Sequence, residues 1–329
     1  MIDHVTDTRP IGRGLCVTRV GLGGAPLGNM YSALSDAEAI DTIDAAWEQG
    51  IRFFDTAPLY GNGLSERRLG QGLHERPRDE FVLSTKVGRL LRPVDLLDPS
   101  SIFVDVPAMN PDFDFSRDAV LRSIDSSLER LHMDRLDVVH VHDPDDHVEI
   151  ALSDAFPTLI ELRDSGVIGA VGCGMNHVAP LLRFVDEVDL DVVLLAGRYS
   201  LLDPSGDSEL LPACADRSIG VIIGGVFNSG LLADPEGDAK FDYGDAPPHL
   251  VERARRIRAE CERFGVTLPA AAIAFALRNP AVSSVVVGVR SREEVDADVA
   301  AARSAIPEEL WEALAMHTHF GSAGMRDTP

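Results

Sequence analysis

Several features that mark other classes of protein are missing from this sequence. No stretch approaches the ~20 consecutive apolar residues that a membrane-spanning helix needs. The first residues contain no apolar run followed by a small-residue cleavage site, so we expect no secretion signal. The four cysteines lie far apart and form no Cys-x-x-Cys pair, which predicts reduced, mostly buried thiols in a cytoplasmic protein.

Basic residues are scarce as well. The chain has 30 Lys and Arg against 53 Asp and Glu, and its formal net charge is −23. A nucleic-acid partner requires clustered Lys and Arg, and an anionic membrane surface attracts basic segments, so this balance argues against both partners. The acidic residues are scattered along the chain, which is typical of a solvated surface.

Short β-branched segments alternate with amphipathic helical segments along almost the whole chain. Eight of them have the apolar character of strands buried in a parallel sheet: Val17–Gly23, Arg52–Thr56, Phe81–Val87, Leu136–His142, Gly169–Met175, Asp191–Ala196, Gly220–Val226 and Ser284–Val289. This alternation predicts an α/β fold, and eight strand–helix units predict a closed (β/α)8 TIM barrel. No linker-like stretch divides the chain, so we expect a single barrel domain over residues 1–329.

A doubly wound open sheet is the alternative fold. Its dinucleotide-binding signature is missing, because the glycine cluster that starts at Gly21 leads into Ala-Pro-Leu-Gly and opens no helix. The predicted helices carry local signals instead. Asp36–Gln49 follows a Ser35-x-x-Glu38 capping box and ends before Gly50, and another helix begins near Pro269. Further helices are predicted at Ser116–Leu131, Glu149–Ser165 and Pro180–Glu187.

Two connections are longer than the strand–helix rhythm requires, namely Gly88–Phe115 and Ala233–Pro248. Long connections inside a compact domain are usually functional or disordered. Since the connections at the carboxyl ends of barrel strands surround the active site, we expect both to form walls or lids of one cavity mouth. The alternative is that they are mobile surface insertions. We also expect the residues near Tyr199 and Phe227 to shape this pocket.

Polar residues stand at the ends of three neighbouring predicted strands. Asp55 ends the second strand, Tyr60 lies in the turn after it, Lys86 lies near the end of the third strand, and His142 ends the fourth. A tyrosine pKa of about 10 is too high for ready proton exchange near neutrality, and an adjacent cation lowers it. We therefore interpret Lys86 as that cation, held by Asp55, and Tyr60 as a general acid or base. His142 can hydrogen-bond the reacting oxygen.

The segments that carry these residues resemble the aldo-keto reductase superfamily. They are the run GIRFFDTAPLYG that ends at Gly61, the SERRLG after it, Ser84-Thr-Lys86, LDVVHVH ending at His142, and the late VVVGVRS. The similarity covers nearly the whole chain. It implies a (β/α)8 barrel oxidoreductase with a catalytic tetrad of Asp55, Tyr60, Lys86 and His142.

The same resemblance implies contacts with a nicotinamide cofactor. Asn176 would bind the carboxamide. The other implied cofactor-binding residues are Gly24, the phosphate-binding loop Asn228, Ser229, Gly230 and Leu231, and, at the start of the last barrel helix, Gly288, Arg290, Ser291, Glu294 and Asp298. A helix N-terminus suits a phosphate on physical grounds, because it offers free N–H groups and a favourable dipole.

The sequence departs from the family at four of these positions. The glutamine that usually helps to hold the carboxamide falls at Ala196, and the usual stacking aromatic residue falls at Gly224. A basic residue that grips the adenosine 2′-phosphate aligns near Glu294, and a nearby asparagine is Asp298. Carboxylates there favour NAD over NADP, because they repel a phosphate. Two alternatives remain: Glu294 belongs to a Ser291-x-x-Glu294 capping box, and Arg290 and Arg292 can still serve a phosphate.

Further segments are similar to the aldose 1-dehydrogenase branch, which contains L-fucose and L-galactose dehydrogenases and resembles pyridoxal 4-dehydrogenase. These are HDPDD ending at Asp146, AGRYSLL from Ala196, and GGVFNSGLL from Gly224. The resemblance implies oxidation of a cyclic hemiacetal to a lactone. The substrate would be an aldose of the L-fucose, L-galactose or D-arabinose type, or pyridoxal giving 4-pyridoxolactone. An NADPH-dependent carbonyl reductase of the same fold is the alternative.

Two remoter functions remain open. His140-x-His142 with Asp143, Asp145, Asp146 and His147 could form a divalent-metal cluster of a TIM-barrel hydrolase, but later strands supply no matching ligands, and we expect no metal. In the favoured interpretation His140 is a packed or hydrogen-bonded barrel residue. A non-enzymatic nucleotide-binding subunit is disfavoured by the intact tetrad. The sequence leaves the choice of sugar or pyridoxal and the oligomeric state open.

Overall fold

The computed structural model describes residues 5–238 and 240–318, and its centre is a closed barrel of eight parallel strands. The strands follow one another around the barrel in chain order, each paired with the next, and the last pairs with the first. They are β1 (Val20–Gly23), β2 (Phe53–Asp55), β3 (Val82–Val87), β4 (Leu136–His142), β5 (Ile168–Met175), β6 (Val192–Ala196), β7 (Gly220–Gly224) and β8 (Val282–Gly288). The predicted (β/α)8 barrel is confirmed.

Helices pack around the outside of the barrel. They are α1 (Asp36–Glu48), α2 (Leu64–Leu73), α3 (Arg117–Leu131), α4 (Phe156–Asp164), α5 (Val178–Glu187), α6 (Leu210–Asp216), α7 (Pro248–Arg263), α8 (Leu268–Arg278), α9 (Arg292–Ala302) and α10 (Glu308–Thr318). A short helical turn (Val148–Ile150) and a wide π-helical turn (Ala151–Ala155) lead into α4. This wide turn precedes Pro157, whose ring nitrogen cannot donate the next helical hydrogen bond.

The helix starts agree with the predicted caps. Ser35 accepts a hydrogen bond from the Glu38 N–H, and the Glu38 carboxylate accepts one from the Ser35 N–H, which completes the capping box of α1. Ser116 caps α3 in the same region of the fold, and Thr267 caps α8. These caps satisfy N–H groups that have no partner inside the helix, so each fixes where its helix begins.

The first predicted strand, Val17–Gly23, was wrong as a single element. Cys16–Thr18 pairs antiparallel with Thr8–Pro10, and only Val20–Gly23 enters the barrel. Arg19 lies at the break, where its guanidinium donates to the carbonyls of Val282 and Leu277. This small hairpin closes the amino-terminal end of the barrel, where Ile11 and Val17 pack with the barrel interior.

The two long connections contain strands of their own. Arg89–Pro93 pairs with Met109–Phe113 inside the Gly88–Phe115 connection, and Lys240–Phe241 pairs with Gly244–Asp245 inside the second. Both connections line a cavity at the carboxyl end of the barrel. They are therefore walls of the mouth, as predicted.

Among the described residues, no helix combines the length and the apolar character needed to cross a membrane. All four cysteines are free thiols, and Cys173, Cys214 and Cys261 are buried.

Candidate active site

A cavity of about 950 Å³ opens at the carboxyl ends of the barrel strands. Its floor contains Lys86 and His142 from β3 and β4, and Tyr60 from the turn after β2. Residues 97–106 and 110–113 of the first long connection form one wall, and Tyr243 of the second connection forms part of another. The barrel thus brings residues from distant parts of the chain to one surface.

Asp55 and Lys86 form a buried ion pair beneath this cavity. The Lys86 Nζ donates to Asp55 Oδ2 at 2.7 Å and to the Thr56 carbonyl at 2.8 Å. The Ser84 hydroxyl donates to Asp55 Oδ1 at 2.6 Å, so both carboxylate oxygens have a donor. The two side chains are only 4% and 1% exposed. A buried pair with such complete hydrogen bonding is held in one geometry.

Tyr60 lies directly over this pair. The Lys86 Nζ is 4.8 Å from the centroid of the Tyr60 ring, and the His142 ring meets Tyr60 edge to face at 5.9 Å between centroids. The Tyr60 N–H donates to the Ala57 carbonyl, which closes the turn that carries the ring. The four residues predicted from the sequence therefore converge on one side of the cavity.

The protonation state of Tyr60 differs from the sequence-based expectation. Burial raises the Tyr60 pKa well above its ordinary value of 10.0, and the negative charge of Asp55 raises it further, whereas Arg89 opposes the rise. The expected lowering by Lys86 is wrong for the protein without cofactor, because the charge of Lys86 is neutralised by Asp55 at contact distance. Tyr60 is therefore a protonated phenol at neutral pH.

His142 is a neutral imidazole. Burial lowers the pKa of His142 well below 6.5, and the positive charges of Arg89 and Lys86 lower it further. Its Nε2 lies 3.6 Å from the Asp143 carboxylate, which favours the tautomer with the proton on Nε2. Such an Nε2–H can donate to an oxygen that enters beside Tyr60.

His140 lies deeper in the barrel. It is completely buried, and neither ring nitrogen has a hydrogen-bond partner among the described residues. Burial lowers the pKa of His140 to about 3. His140 is therefore a packed barrel residue, which was one of the two expectations. The other expectation, a hydrogen-bonded His140, is wrong for the described residues. Within residues 5–238 and 240–318 no group of three or more His, Cys, Asp or Glu side chains is arranged to hold a metal ion.

The residues expected to hold a nicotinamide surround one side of the cavity. Asn176 follows β5 and lines the cavity, and its side chain is hydrogen-bonded to the Tyr243 hydroxyl. Ala196 also lines the cavity, and a Cβ atom at Gly224 would meet its neighbours only at ordinary contact distances of 3.4 Å or more. The small residues at these two strand ends therefore leave space beside Asn176.

The loop from Asn228 to Leu231 is tightly folded. The Asn228 side chain is buried, accepts from the Ser200 hydroxyl at 2.6 Å and donates to the Gly197 carbonyl at 3.1 Å. Ser229 accepts from the Tyr243 N–H and is hydrogen-bonded to the Tyr31 side chain. Gly230 has a φ of +98° and Leu231 is buried. Asn228 and Leu231 thus shape the loop, and Ser229 connects it to Tyr31 and Tyr243.

The start of α9 carries acidic side chains, which do not favour a phosphate. Ser291 caps the helix through the Glu294 N–H, and the Glu294 carboxylate accepts from the Arg290 N–H at 2.8 Å. In the predicted capping box the Glu294 carboxylate would accept from the Ser291 N–H. It accepts instead from the N–H of the preceding residue, Arg290. Burial raises the pKa of Asp298 to about 7, and the neighbouring Glu294 adds to the rise.

The two arginines near this helix are engaged elsewhere. Arg292 forms ion pairs with Asp41 at 2.8 Å and Glu48 at 2.6 Å, and Arg290 donates to the side chain and backbone of Ser32. Gly288 is exposed at the rim of the barrel, close to Pro26. Gly24 is confined by close packing, since a Cβ there would lie 2.6 Å from the Ser65 hydroxyl and 2.8 Å from the Asp55 carbonyl.

Three residues at the cavity were missed in the sequence as contributors to this site. Arg89 and Asp143 line it as an ion pair, and Tyr243 extends into it from the second long connection. Asp143 directly follows the end of β4, and Arg89 stands two residues after the end of β3, so the rule that located Lys86 and His142 would have located them. Of the residues expected near Tyr199 and Phe227, Ala196 lines the cavity, whereas Tyr199 is buried against Phe275 and neither Tyr199 nor Phe227 lines it.

Comparisons with known proteins agree with this arrangement. The family described as the Aldo/keto reductase family matches residues 19–318. A D-threo-aldose 1-dehydrogenase of Pseudomonas sp is 45% identical over 318 residues, which cover 94% of this chain and 97% of the relative. A pyridoxal 4-dehydrogenase of Microbacterium luteolum is 41% identical over 337 residues, or 94% and 96% of the two chains. The structure of a glycerol dehydrogenase from Gluconobacter oxydans shares the fold, with a TM-score of 0.80 at 22% identity over 100% of this chain and 99% of that one.

Proposed function

The chain belongs to the aldo/keto reductase family, and from this premise we propose that it oxidises a cyclic hemiacetal to a lactone with a nicotinamide cofactor. The observation that carries the proposal is the buried Asp55–Lys86 pair directly beneath Tyr60 in the cavity that also contains His142. An aldose and pyridoxal, the substrates in the names of the two relatives, both form cyclic hemiacetals.

In this proposal Tyr60 moves the proton. The hemiacetal hydroxyl gives its proton to the Tyr60 oxygen, the hydrogen on the same carbon leaves with its electron pair, and the carbon–oxygen bond becomes a carbonyl. The ring oxygen stays attached throughout, so the immediate product is a lactone. Tyr60 must be deprotonated to act as this base. The buried Asp55–Lys86 pair is a dipole whose positive end, the Lys86 ammonium group, lies next to the Tyr60 ring. His142 donates from Nε2 to the reacting oxygen.

The residues around the cavity fit a dinucleotide. Asn176 lines the cavity and supplies an amide that can pair with a carboxamide. The N-terminus of α9, an 11-residue helix, follows Gly288 outside the cavity lining and can hold phosphate. When bound, an oxidised nicotinamide would supply the hydride acceptor and a positive charge near Tyr60. Tyr60 would then ionise more easily than burial alone allows.

We propose NAD in preference to NADP. Glu294 and Asp298 place two carboxyl groups on the first turns of α9, and Arg292 is held by Asp41 and Glu48. A 2′-phosphate near this helix would be repelled by these carboxyl groups, and Arg292 would not be free to pair with it. A 2′-hydroxyl can instead donate to a carboxylate.

The cavity favours a neutral substrate. Four carboxyl groups line it, those of Asp98, Asp105, Asp112 and Asp143, against the two cations of Lys86 and Arg89. Both cations are already paired with carboxylates. An anionic substrate would therefore meet net repulsion, whereas the hydroxyl groups of a sugar find many acceptors.

The reverse reaction is the second candidate, and one observation favours it. A protonated Tyr60, which the raised pKa implies, is ready to donate a proton to a carbonyl oxygen. Reduction of a carbonyl compound with the reduced cofactor would use the same groups in the opposite direction.

A substrate panel tests the proposal and separates the two directions. L-Fucose, L-galactose, D-arabinose and pyridoxal are each offered with NAD and with NADP, and methylglyoxal with the reduced cofactors, while the absorbance of reduced cofactor is followed. A kcat/KM for the oxidation of at least one hemiacetal that is tenfold above the kcat/KM for the reduction of methylglyoxal supports the proposed oxidation. Reduction alone contradicts it.

We also propose that residues 1–329 act as a single barrel domain in the cytoplasm. The support is that the family match spans residues 19–318 and that all four cysteines are free thiols.

A further inference from the structure

A second ion pair lies beside the proposed catalytic group. The Arg89 guanidinium donates from Nη2 to Asp143 Oδ2 at 2.7 Å, and the same carboxylate oxygen is 3.6 Å from His142 Nε2. Both side chains are about three-quarters or more buried, with 20% and 25% of their surfaces exposed, and both line the cavity. The pair is not required to build the Asp55–Lys86–Tyr60 group, which has its own contacts.

Several contacts fix the position of Arg89. Gly88 turns the chain off the end of β3 with a φ of +101°, and a Cβ there would lie 2.2 Å from the Phe115 ring. The guanidinium then lies over the Phe113 ring, with 4.4 Å between the Arg89 Cζ and the ring centroid. An aromatic face beneath a guanidinium leaves its edge free for hydrogen bonds. The Arg89 Nε is buried without a hydrogen-bond partner among the described residues.

Asp143 is also held in a special position. Its φ of +45° is unusual for a residue other than glycine, and its N–H donates to the Gly174 carbonyl at 3.0 Å. Backbone in this region is retained where the surroundings determine it, often at functional sites. Only Oδ2 of the carboxylate is engaged by protein groups in the described part of the chain. Oδ1 is therefore available as an acceptor.

The pair thus offers one acceptor and one donor side by side, next to the position of the reacting oxygen. A neutral hydroxyl group matches this arrangement, because it can donate to the Asp143 carboxylate and accept from the Arg89 guanidinium at once. An anionic oxygen does not match it, since it cannot donate and is repelled by the carboxylate.

We propose that Arg89 and Asp143 form the subsite for the hydroxyl group on the carbon next to the reacting carbon, and so select sugar hemiacetals over pyridoxal. This inference rests on the proposed oxidation of a hemiacetal. In a cyclic aldose the neighbouring group is the neutral 2-hydroxyl. In the pyridoxal hemiacetal the carbon next to the reacting carbon is a ring carbon that bears no hydroxyl group. The nearest oxygen is the phenolic one, a carbon further away, and it ionises easily because the ring nitrogen withdraws electrons. The pair accepts the first and disfavours the second.

The test compares an aldose with its 2-deoxy counterpart. The aldose of L-fucose, L-galactose and D-arabinose that gives the highest kcat/KM is used, together with the same sugar lacking the 2-hydroxyl. For the wild-type enzyme we expect kcat/KM about 10²-fold higher for the complete sugar, since the deoxy sugar leaves charged groups without a partner. Asp143→Asn and, separately, Arg89→Gln should reduce this ratio to within about threefold of unity.

The ratio separates selectivity from a structural effect. A variant that folds less well, or in which His142 is misplaced, loses activity on both sugars by the same factor and keeps the ratio. Asp189→Asn is the matched control, because Asp189 forms ion pairs with Arg13 and Arg163 before β6, away from the cavity. It should keep the wild-type ratio.

The outcomes distinguish this inference from the proposed function. If wild-type enzyme oxidises no hemiacetal at all, the proposed function fails and the subsite with it. If it oxidises an aldose but both variants keep the wild-type ratio, only the subsite is overturned. A kcat/KM for pyridoxal tenfold above that of every aldose would also overturn the subsite and leave hemiacetal oxidation intact.

Discussion

The ammonium group of Lys86 lies 2.7 Å from the carboxylate of Asp55, and both side chains are almost completely buried. The pair sits beneath Tyr60, so the charge of Lys86 acts on the phenol as one end of a dipole and not as a free cation. The pair contributes to the stability of the site, and the charge of Asp55 adds to the rise that burial causes in the Tyr60 pKa.

Removing the cation alone should destabilise the fold. Lys86→Met leaves the Asp55 carboxylate buried without a counter-charge, and such a change costs about 3–5 kcal/mol. Lys86→Met combined with Asp55→Asn removes both charges and should recover more than half of the loss. Urea unfolding of the three proteins at pH 7 measures this. A loss below 1 kcal/mol in the single variant would show that the pair is solvated.

Tyr60→Phe should remove turnover and keep cofactor binding. The phenol hydroxyl is the proposed proton carrier, and the loss of one general acid or base lowers the rate by about 10²–10⁴-fold. Isothermal titration with NAD should give a Kd within about threefold of wild type. Turnover by the variant at more than a tenth of the wild-type rate contradicts the role of Tyr60.

Cofactor preference should depend on the acidic side chains of α9. NAD should give the higher kcat/KM in wild type, and Glu294→Arg should shift the ratio toward NADP by at least tenfold, or about 1.4 kcal/mol. A wild-type preference for NADP of tenfold or more would mean that Glu294 only caps the helix.

The pH dependence of this preference adds a second readout. Because the pKa of Asp298 is raised to about 7, the side chain gains its negative charge between pH 6 and pH 8. The kcat/KM for NADP should therefore fall relative to that for NAD over this range. The 2′-phosphate of NADP also ionises and contributes its own pH dependence to this ratio. Asp298→Asn removes the titrating side chain, so the variant should keep only the contribution of the 2′-phosphate.

His140 should make the protein less stable in mild acid. The unfolded chain binds a proton at His140 below about pH 6.5, whereas the folded chain binds it only near pH 3, so stability falls as the pH drops through this window. One such group contributes a slope of about 1.4 kcal/mol per pH unit. His140→Leu removes this contribution, so wild type should lose about 2 kcal/mol of stability relative to the variant between pH 8 and pH 5.

Unfolding by urea at pH 8 and pH 5 checks this expectation, with His74→Gln as the control because His74 is exposed. The control should follow wild type at both pH values. An equal loss of stability by His140→Leu and wild type between pH 8 and pH 5 would show that water or an unseen partner satisfies the buried ring.

The sequence predicted the barrel and its central residues because both depend on local signals. Lys86 and His142 belong to β-branched segments whose carboxyl ends must meet in a parallel barrel, so their convergence follows from the alternation of strands and helices. Asp55 is found in the same way. The capping boxes depend on residues three positions apart, and the one at Ser35 was predicted in full.

The remaining features depend on contacts between distant segments. Tyr243 reaches Asn176 only through the fold of a long connection, and no local pattern in that connection indicates it. Arg19 ends the hairpin strand by bonding to carbonyls more than 250 residues away, so the apolar run around it was predicted as one strand. The pKa of Tyr60 depends on burial and on how closely Asp55 neutralises Lys86, and neither distance is written in the sequence.

The identity of the first product tests the account most directly. An aldose labelled with ¹³C at carbon 1 is oxidised with NAD at pH 7 while carbon NMR spectra are recorded, and the same reaction is timed from pH 6 to pH 10. We expect the lactone carbonyl signal to appear first, in step with reduced cofactor, and the rate to rise toward alkaline pH as Tyr60 ionises. An open-chain carboxylate signal that appears without a preceding lactone, or a rate that falls above neutral pH while the protein stays folded, would contradict it.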